Sequence, residues 1–271
     1  MKKQYFFIPQ WQDSGITNEL FNGAWALYDY FRNNYTDQVC EIDINASDKP
    51  ILENNILGYS ILVDQLTRIK NKLEEEQPQK VITIGGGCGI EVPIISYLSS
   101  KNSNMKLFWF DAHGDLNSPK SSSSKHFHGM PLRFLTEKQN NEIDKIVDLV
   151  KIENIKLIGT RDLEPPEIDY IKNNKIESVL CDANYLAKIE ENIQPDKPAY
   201  IHIDLDVIDP KYYGNVKCPI RKGFSISELV SALSLITSKM NIVGMSILEN
   251  TEIDKEKIEL LSEVFDILHK V

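Results

Sequence analysis

Apolar positions in this chain come in short bursts, separated by longer stretches in which they recur at helical spacing. Gln4–Ile8 is a short apolar strand closed by Pro9. Lys80–Ile84, Lys106–Phe110, Lys156–Gly159, Val179–Leu180, Tyr200–Ile203 and Ile242–Leu248 read as further buried strands, and Val39–Ile44 alternates like another. Between them, 18–30 places Leu20, Phe21, Trp25, Ala26 and Tyr30 at helical intervals, with Thr17 positioned to cap. Leu57–Glu76 is a longer amphipathic helix carrying Ile61, Leu62, Leu66, Ile69 and Leu73 on one face. Helices are also predicted over Ile90–Leu98, with Pro93 in the first turn, over a stretch that Thr160–Glu167 opens and that runs to about Lys172, and over Ser225–Ser238 and Lys255–Lys270. Strands that alternate with helices predict an α/β fold: three αβα layers around a mainly parallel central sheet. No repeat, linker or low-complexity boundary interrupts 1–271, so a single domain is expected.

Bulk properties narrow the partners. The chain has 271 residues, 42% of them hydrophobic and 26% charged, as in ordinary globular proteins. Its net charge of −10 argues against nucleic acid and anionic membranes as partners. Cys40, Cys88, Cys181 and Cys218 show no paired spacing and read as reduced thiols. No signal peptide opens the sequence and no apolar run would span a bilayer, so a cytoplasmic location is expected.

The candidate chemistry sits where two strands end. Lys106–Phe110 runs into Asp111-Ala-His113-Gly-Asp115, three metal-type ligands at alternate positions, which strand periodicity would let converge. Tyr200–Ile203 runs into Asp204-Leu-Asp206. One such acidic pair is commonly a capping or turn feature; two together suggest a site for hard or borderline divalent cations. Lys80–Ile84 leads into Gly85-Gly86-Gly87-Cys88-Gly89, which fits neither the dinucleotide fingerprint nor the P-loop. Residues 117–128 form a polar, Ser-rich loop that by composition alone would be a flexible connector.

Trp109-Phe-Asp-Ala-His-Gly-Asp115 and His202-Ile-Asp-Leu-Asp206 resemble the two signature blocks of the arginase/agmatinase (ureohydrolase) family, and the similarity runs from about residue 80 to about 250. That resemblance implies the arginase/deacetylase-like form of the αβα fold. It also implies two divalent metal ions, manganese in the first instance. The first would be held by Cys88, Asp111, Asp115 and Asp204, the second by Asp111, His113, Asp204 and Asp206. A hydroxide shared between the metals would attack the carbon of a guanidinium. Glu249, in Ser246-Ile-Leu-Glu249-Asn250, matches the family carboxylate that pairs with the substrate cation. His128, in His126-Phe-His128-Gly-Met-Pro131, matches a histidine that passes a proton to the leaving amine. Asp115 completes the catalytic set. Asn117, Ser124 and His126 fall where the family contacts an amino acid's α groups, and Glu164 where an acid meets the α-ammonium.

The chain departs from the family in particular places. The family's Gly-Gly-Asp-His reads Gly85-Gly86-Gly87-Cys88 here, Ser246 replaces an acid, His126 an asparagine, and Glu164 a shorter aspartate. Cys88 would be a metal ligand, an inert buried residue or a nucleophile. The ligand reading is preferred beside four carboxylates, which oppose a thiolate unless a metal is present. A thiolate is a softer donor than imidazole, so zinc, iron or cobalt becomes an option at that site. Its extra negative charge would also make a bound water less acidic. A branch of the family with cysteine at this position includes hydrolases of N-hydroxylated arginine. The expected function is therefore a metal-dependent hydrolase cleaving a C–N bond of a small guanidino compound (arginine, N-hydroxyarginine or similar), and the resemblance adds a homo-oligomer as an option. Competing readings are a catalytically impaired binding or regulatory relative, favoured by Gly87, Cys88 and Ser246, and a deacetylase. The deacetylase reading lacks its His-His pair.

Overall fold

The structure, a computed structural model, describes residues 2–15 and 17–271. Ten strands form in chain order: β1 (Lys3–Ile8), β2 (Val39–Glu41), β3 (Leu52–Glu53), β4 (Ile56–Leu57), β5 (Lys80–Gly85), β6 (Lys106–Phe110), β7 (Ile155–Ile158), β8 (Glu177–Val179), β9 (Pro198–Ile203) and β10 (Asn241–Ile247). Eight of them make one sheet in the order β2-β1-β5-β10-β9-β6-β7-β8. Every pairing in that sheet is parallel; β3 and β4 form a separate antiparallel hairpin.

The α-helices are α1 (Glu19–Asn34), α2 (Tyr59–Glu76), α3 (Glu91–Lys101), α4 (Pro131–Thr136), α5 (Pro165–Asn174), α6 (Tyr185–Asn192), α7 (Ile226–Lys239), α8 (Lys255–Ile258) and α9 (Ser262–Lys270). The period of two along each strand divides the core between them. Phe6, Ile8, Leu107, Trp109 and Tyr200 face one layer, where α2, α3 and α4 bury Leu66, Ile95 and Phe134. Tyr5, Phe7, Phe108, Phe110, Ile201 and Ile203 face the other, filled by Leu27 of α1, Ile189 of α6, Leu233 of α7 and Phe265 of α9. This is the three-layer αβα arrangement that the alternation predicts. No helix among the described residues is long and apolar enough to cross a membrane.

Differences from the sequence reading have local causes. Asn18, not Thr17, occupies the cap position of α1, and no side chain closes that cap. β2 stops at Glu41, although the Ile42 N–H still donates to the Phe7 carbonyl (2.9 Å). α2 begins at Tyr59 because Gly58 turns the chain at φ +76°. The predicted 255–270 helix is broken by a 3₁₀ turn at Glu259–Leu261. The two-residue strands β3 and β4, and the short helices α4 and α6, are too brief to carry a periodic signal.

Topology fixes the site. β5, β10, β9 and β6 are consecutive neighbours, so the chain exits carrying Cys88, Glu249, Asp204 and Asp111 lie side by side at the carboxyl ends of the strands. Open α/β sheets place ligands there.

Candidate metal centre

Asp111 is the last residue in register with the sheet, its N–H bonded to the Ile158 carbonyl at 3.1 Å. Beyond it the strand alternation predicted for Asp111, His113 and Asp115 does not operate. The chain turns, with the Ala112 N–H donating to Asp206 Oδ1 (2.9 Å) and the His113 N–H to Asp111 Oδ1 (2.6 Å). Asp115 adopts a left-handed backbone at φ +53°, which swings its carboxylate back under the turn. Asp204 likewise ends β9, and a 3₁₀ turn over Leu205–Val207 follows, with the Asp206 N–H donating to Asp204 Oδ1 at 2.7 Å. Convergence thus comes from two tight turns held by the acids themselves.

Three groups of ligand atoms result, each with its members within 4.8 Å of one another: Cys88, Asp111, Asp115 and His202; Cys88, Asp204 and Glu249; and Asp111, His113 and Asp206. Asp111 joins the first and third. Asp204 groups with Cys88 and Glu249 rather than with His113. His113 Nδ1 lies 2.8 Å from Asp206 Oδ2 and 3.5 Å from Asp111 Oδ1. Cys88 Sγ lies 3.6 Å from Asp204 Oδ2. Glu249, at φ +65°, accepts the Cys88 N–H on Oε1 at 3.0 Å, and His128 Nδ1 stands 3.6 Å from the same oxygen.

Such a cluster is costly without a cation. Asp111, Asp115, Asp204, Asp206 and Glu249 are all buried. Among the described residues, the basic side chains beside them are His113, His128 and His202, with no lysine or arginine paired to them. Burial, then the neighbouring Asp111 charge, pushes the Asp115 carboxyl up; burial and Asp206 do the same to Asp204, and burial and Asp111 raise Asp206 to about 6. Burial and the Glu249 charge hold the Cys88 thiol well above its ordinary value. His113 is driven up against its burial by hydrogen bonds to Asp111 and Asp206. Asp111 is held low against its burial by that same histidine. Asp115 Oδ2 and Glu249 Oε2 are buried with no hydrogen-bond partner. Orphaned anionic oxygens in a dry pocket are what divalent cations satisfy, so the residues fit a metal pair.

Above this floor lies a cleft of about 240 Å³. His128, Glu249, Asn117, Ser124 and Glu164 line it, together with His113, Asp115, Asp204 and Asp206. Cys88 and Asp111 lie beneath. Glu164 is held at both oxygens, by Asn117 Nδ2 (2.6 Å) and Ser123 Oγ (2.6 Å), so the Ser-rich loop is an ordered wall of the cleft. His126 is not brought in: its ring centroid is 5.9 Å from that of His128 and it does not line the cleft.

Three residues that the sequence does not announce enter the site. Asp13 is fully buried, accepts the Gly89 N–H (2.8 Å), and is pushed up to about 7 by burial and by Glu249. A Cβ at Gly87 would sit 2.1 Å from Asp13 Oδ1, so the carboxylate missing from position 87 is supplied by the 9–15 loop. Cys218 also lines the cleft. His202 is the third; a polar ring inside an apolar strand was the signal available for it.

The Arginase family model matches residues 32–260. An arginase of Staphylococcus aureus (strain COL) is 32% identical over 202 residues, covering 69% of this chain and 67% of that protein. An arginase of Plasmodium falciparum (isolate 3D7) is 28% identical over 266 residues, covering 89% and 63%. Among solved structures, an Entamoeba histolytica arginase in complex with L-ornithine superposes with a TM-score of 0.81 at 20% identity, over 97% of each chain. A proclavaminate amidino hydrolase from Streptomyces clavuligerus gives 0.72 at 18% identity, over 99% of this chain and 91% of that one. The family model spans most of the chain, the parallel sheet matches, and the buried Asp, His and Cys groups can hold metal ions: this chain belongs to the arginase family.

Proposed function

We propose that this protein is a metal-dependent amidinohydrolase that cleaves a C–N bond of a small guanidino compound and releases urea or a urea derivative. The observation that carries the reading is the set of buried acids Asp111, Asp115, Asp204 and Asp206, with no lysine or arginine paired to them among the described residues, directly beneath a cleft that Glu249 and His128 share. When bound, a pair of divalent cations, manganese in the first instance, supplies the charge that lowers the pKa of a water nucleophile. Asp111, His113 and Asp206 would hold one ion, and Cys88, Asp111, Asp115 and Asp204 the other.

The remaining steps belong to the side chains. Glu249 offers Oε2, which no protein group occupies, to the guanidinium, while Oε1 stays on the Cys88 N–H. That fixes the electrophilic carbon over the acids through a charge-assisted contact. The orphaned Oδ2 of Asp115 is placed to accept a hydrogen bond from the attacking water. The Glu249 carboxylate raises His128 against its burial, so His128 keeps a proton for the leaving nitrogen. Glu164, braced by Asn117 and Ser123, gives an α-ammonium an anionic partner at the rim, with Ser124 beside it.

The test is a panel of arginine, N-hydroxyarginine, agmatine, guanidinobutyrate and formiminoglutamate, run after reconstitution with Mn(II), Co(II), Fe(II) or Zn(II). Metal-dependent release of urea or its analogue is expected. Stoichiometric metal uptake with no turnover on any of them would leave the non-catalytic binding reading standing instead.

A further inference from the structure

The ligand set that the sequence suggests gives the Cys88 side of the centre no nitrogen donor. The structure supplies one from β9. His202 is completely buried, and its Nε2 lies 3.8 Å from Cys88 Sγ and 3.9 Å from Asp111 Oδ2. Its ligand atom falls in one group with those of Cys88, Asp111 and Asp115. On the other side of the ring, Nδ1 lies 3.0 Å from Glu91 Oε1. With Glu91 as acceptor of the Nδ1 hydrogen, the Nε2 lone pair faces the acids and the thiol. The imidazole stacks on Trp109 with centroids 3.6 Å apart and planes 16° apart, and the Trp109 indole N–H donates to Asp111 Oδ2 at 3.1 Å. One aromatic side chain therefore steadies two members of the group.

Glu91 has no exposure and no lysine or arginine partner among the described residues. Its Oε2 accepts from the Tyr200 hydroxyl at 2.6 Å, and its Oε1 also accepts from the Ser246 hydroxyl. It sits at the first position of α3, where the helix dipole favours an anion. A buried carboxylate this fully engaged, with an imidazole between it and a cluster of acids, is the arrangement that orients metal-ligating histidines. Ser246 then makes sense as a donor: with an acid already arriving from α3, a second one at position 246 would have no proton to share.

We infer that His202 is the nitrogen ligand of the Cys88-side metal ion and that Glu91 is its positioning residue. Imidazole and thiolate would thus enter that site from different strands, which suits a borderline cation better than the acids alone. This inference rests on the dimetal reading above.

Co(II) alone is the probe, because one titration reports both stoichiometry and, through the sulfur-to-cobalt charge-transfer band, occupancy of the Cys88 side. Wild-type protein should take up two equivalents and show the band. His202→Gln should lose the band and bind the corresponding equivalent at least about 100-fold more weakly, while the His113-side equivalent stays. Glu91→Gln, which leaves the ligand in place, should weaken that same equivalent by about 10- to 100-fold. General structural damage would not single out one of two ions. Should His202→Gln fail to fold, the zinc-loaded wild-type crystal structure decides: His202 Nε2 belongs about 2.0–2.1 Å from the ion. Two equivalents and an unchanged band in His202→Gln, or a thiolate-bound ion out of reach of Nε2, would overturn this inference and leave the dimetal reading intact. Wild-type protein that takes up no divalent cation would overturn both.

Discussion

Replacing Glu249 by glutamine isolates the charge that the proposed chemistry asks of this residue. The substitution keeps shape and keeps an oxygen to accept the Cys88 N–H, now at 3.0 Å from Oε1. What disappears is the negative charge at Oε2, the oxygen with no protein partner. A guanidinium roughly 4 Å from a carboxylate, at an effective dielectric of about 20, is attracted by about 4 kcal/mol. An amide oxygen would retain about 1 kcal/mol as a neutral hydrogen bond. The difference, about 3 kcal/mol, corresponds to roughly a 150-fold loss in kcat/KM.

Two secondary readouts separate this loss from damage to the site. Glu249 raises the carboxyl groups of Asp13, Asp115 and Asp204, so the metal-free variant should melt no lower than wild type. His128, which owes its raised value to Glu249, should drop toward an ordinary histidine, moving the alkaline limb of the rate profile to lower pH. The assay is steady-state urea release with metal content measured on the same sample. Near-normal kcat/KM in a variant with full metal content would remove Glu249 from the mechanism.

Three further outcomes are expected. Asp206 (about 6), Asp13 (about 7), His113 and His128 all bind protons more tightly in the folded metal-free protein than in the unfolded chain. Metal-free stability contributed by these groups should fall as pH rises from about 4, through about 6 for Asp206 and about 7 for Asp13 and on through the raised histidines, since the native state then holds the extra protons. Saturating Mn(II) displaces the protons of its ligands Asp206 and His113, so its increment in Tm should be larger at pH 8 than at pH 6, and an equal or reversed increment would contradict the assignment. Substrates with a free α-amino-acid end should outrun agmatine, because Glu164 is already braced by Asn117 and Ser123; faster release from agmatine would refute this. Gly87→Asp should destabilise by more than about 2 kcal/mol, since its Cβ would stand 2.1 Å from Asp13 Oδ1, and adding Asp13→Gly should recover most of that in a urea melt.

What the sequence made legible was whatever repeats locally. The strands entering Cys88, Asp111, Asp204 and Glu249 are apolar runs, and hard ligands directly after such runs carry a signal independent of context. The fold class followed from the same alternation, and the family from the two blocks around Asp111 and Asp204. Asp13, Glu91 and His202 were not legible as site residues, because each is a single polar residue from a different element, and only the assembled sheet sets their distances. His126 shows the converse. The resemblance put it among the contacts to an amino acid's α groups, yet in a turn neighbouring side chains diverge, and its ring does not line the cleft. Residues 117–128 looked like a flexible connector by composition; the serines instead close on one another and on Glu164, Ser118 with Ser121 and Ser123 with Glu164.

The way the site is assembled also determines how metal binding and folding are connected. Its proposed ligands follow three strands, β5, β6 and β9, that are distant in sequence, and in the one short run that holds three of them, Asp111, His113 and Asp115, the folded turn sends His113 and Asp115 to different groups. The local pairs Asp111–His113 and Asp204–Asp206 are each held by backbone N–H groups in turns that exist only once β6 and β9 are paired. A cation therefore meets a competent site only in the native state, and binding to the unfolded chain subtracts little from the stabilisation, which approaches RT ln(1 + [L]/Kd). A zinc finger, whose ligands are close in sequence, folds around its ion. Here the apolar faces of the sheet hold the fold, at the cost of bringing Asp111, Asp115, Asp204, Asp206 and Glu249 together with no lysine or arginine beside them. The raised carboxyls and the cation-holding His113 are how the metal-free protein bears that cost, by keeping protons where the metals would sit.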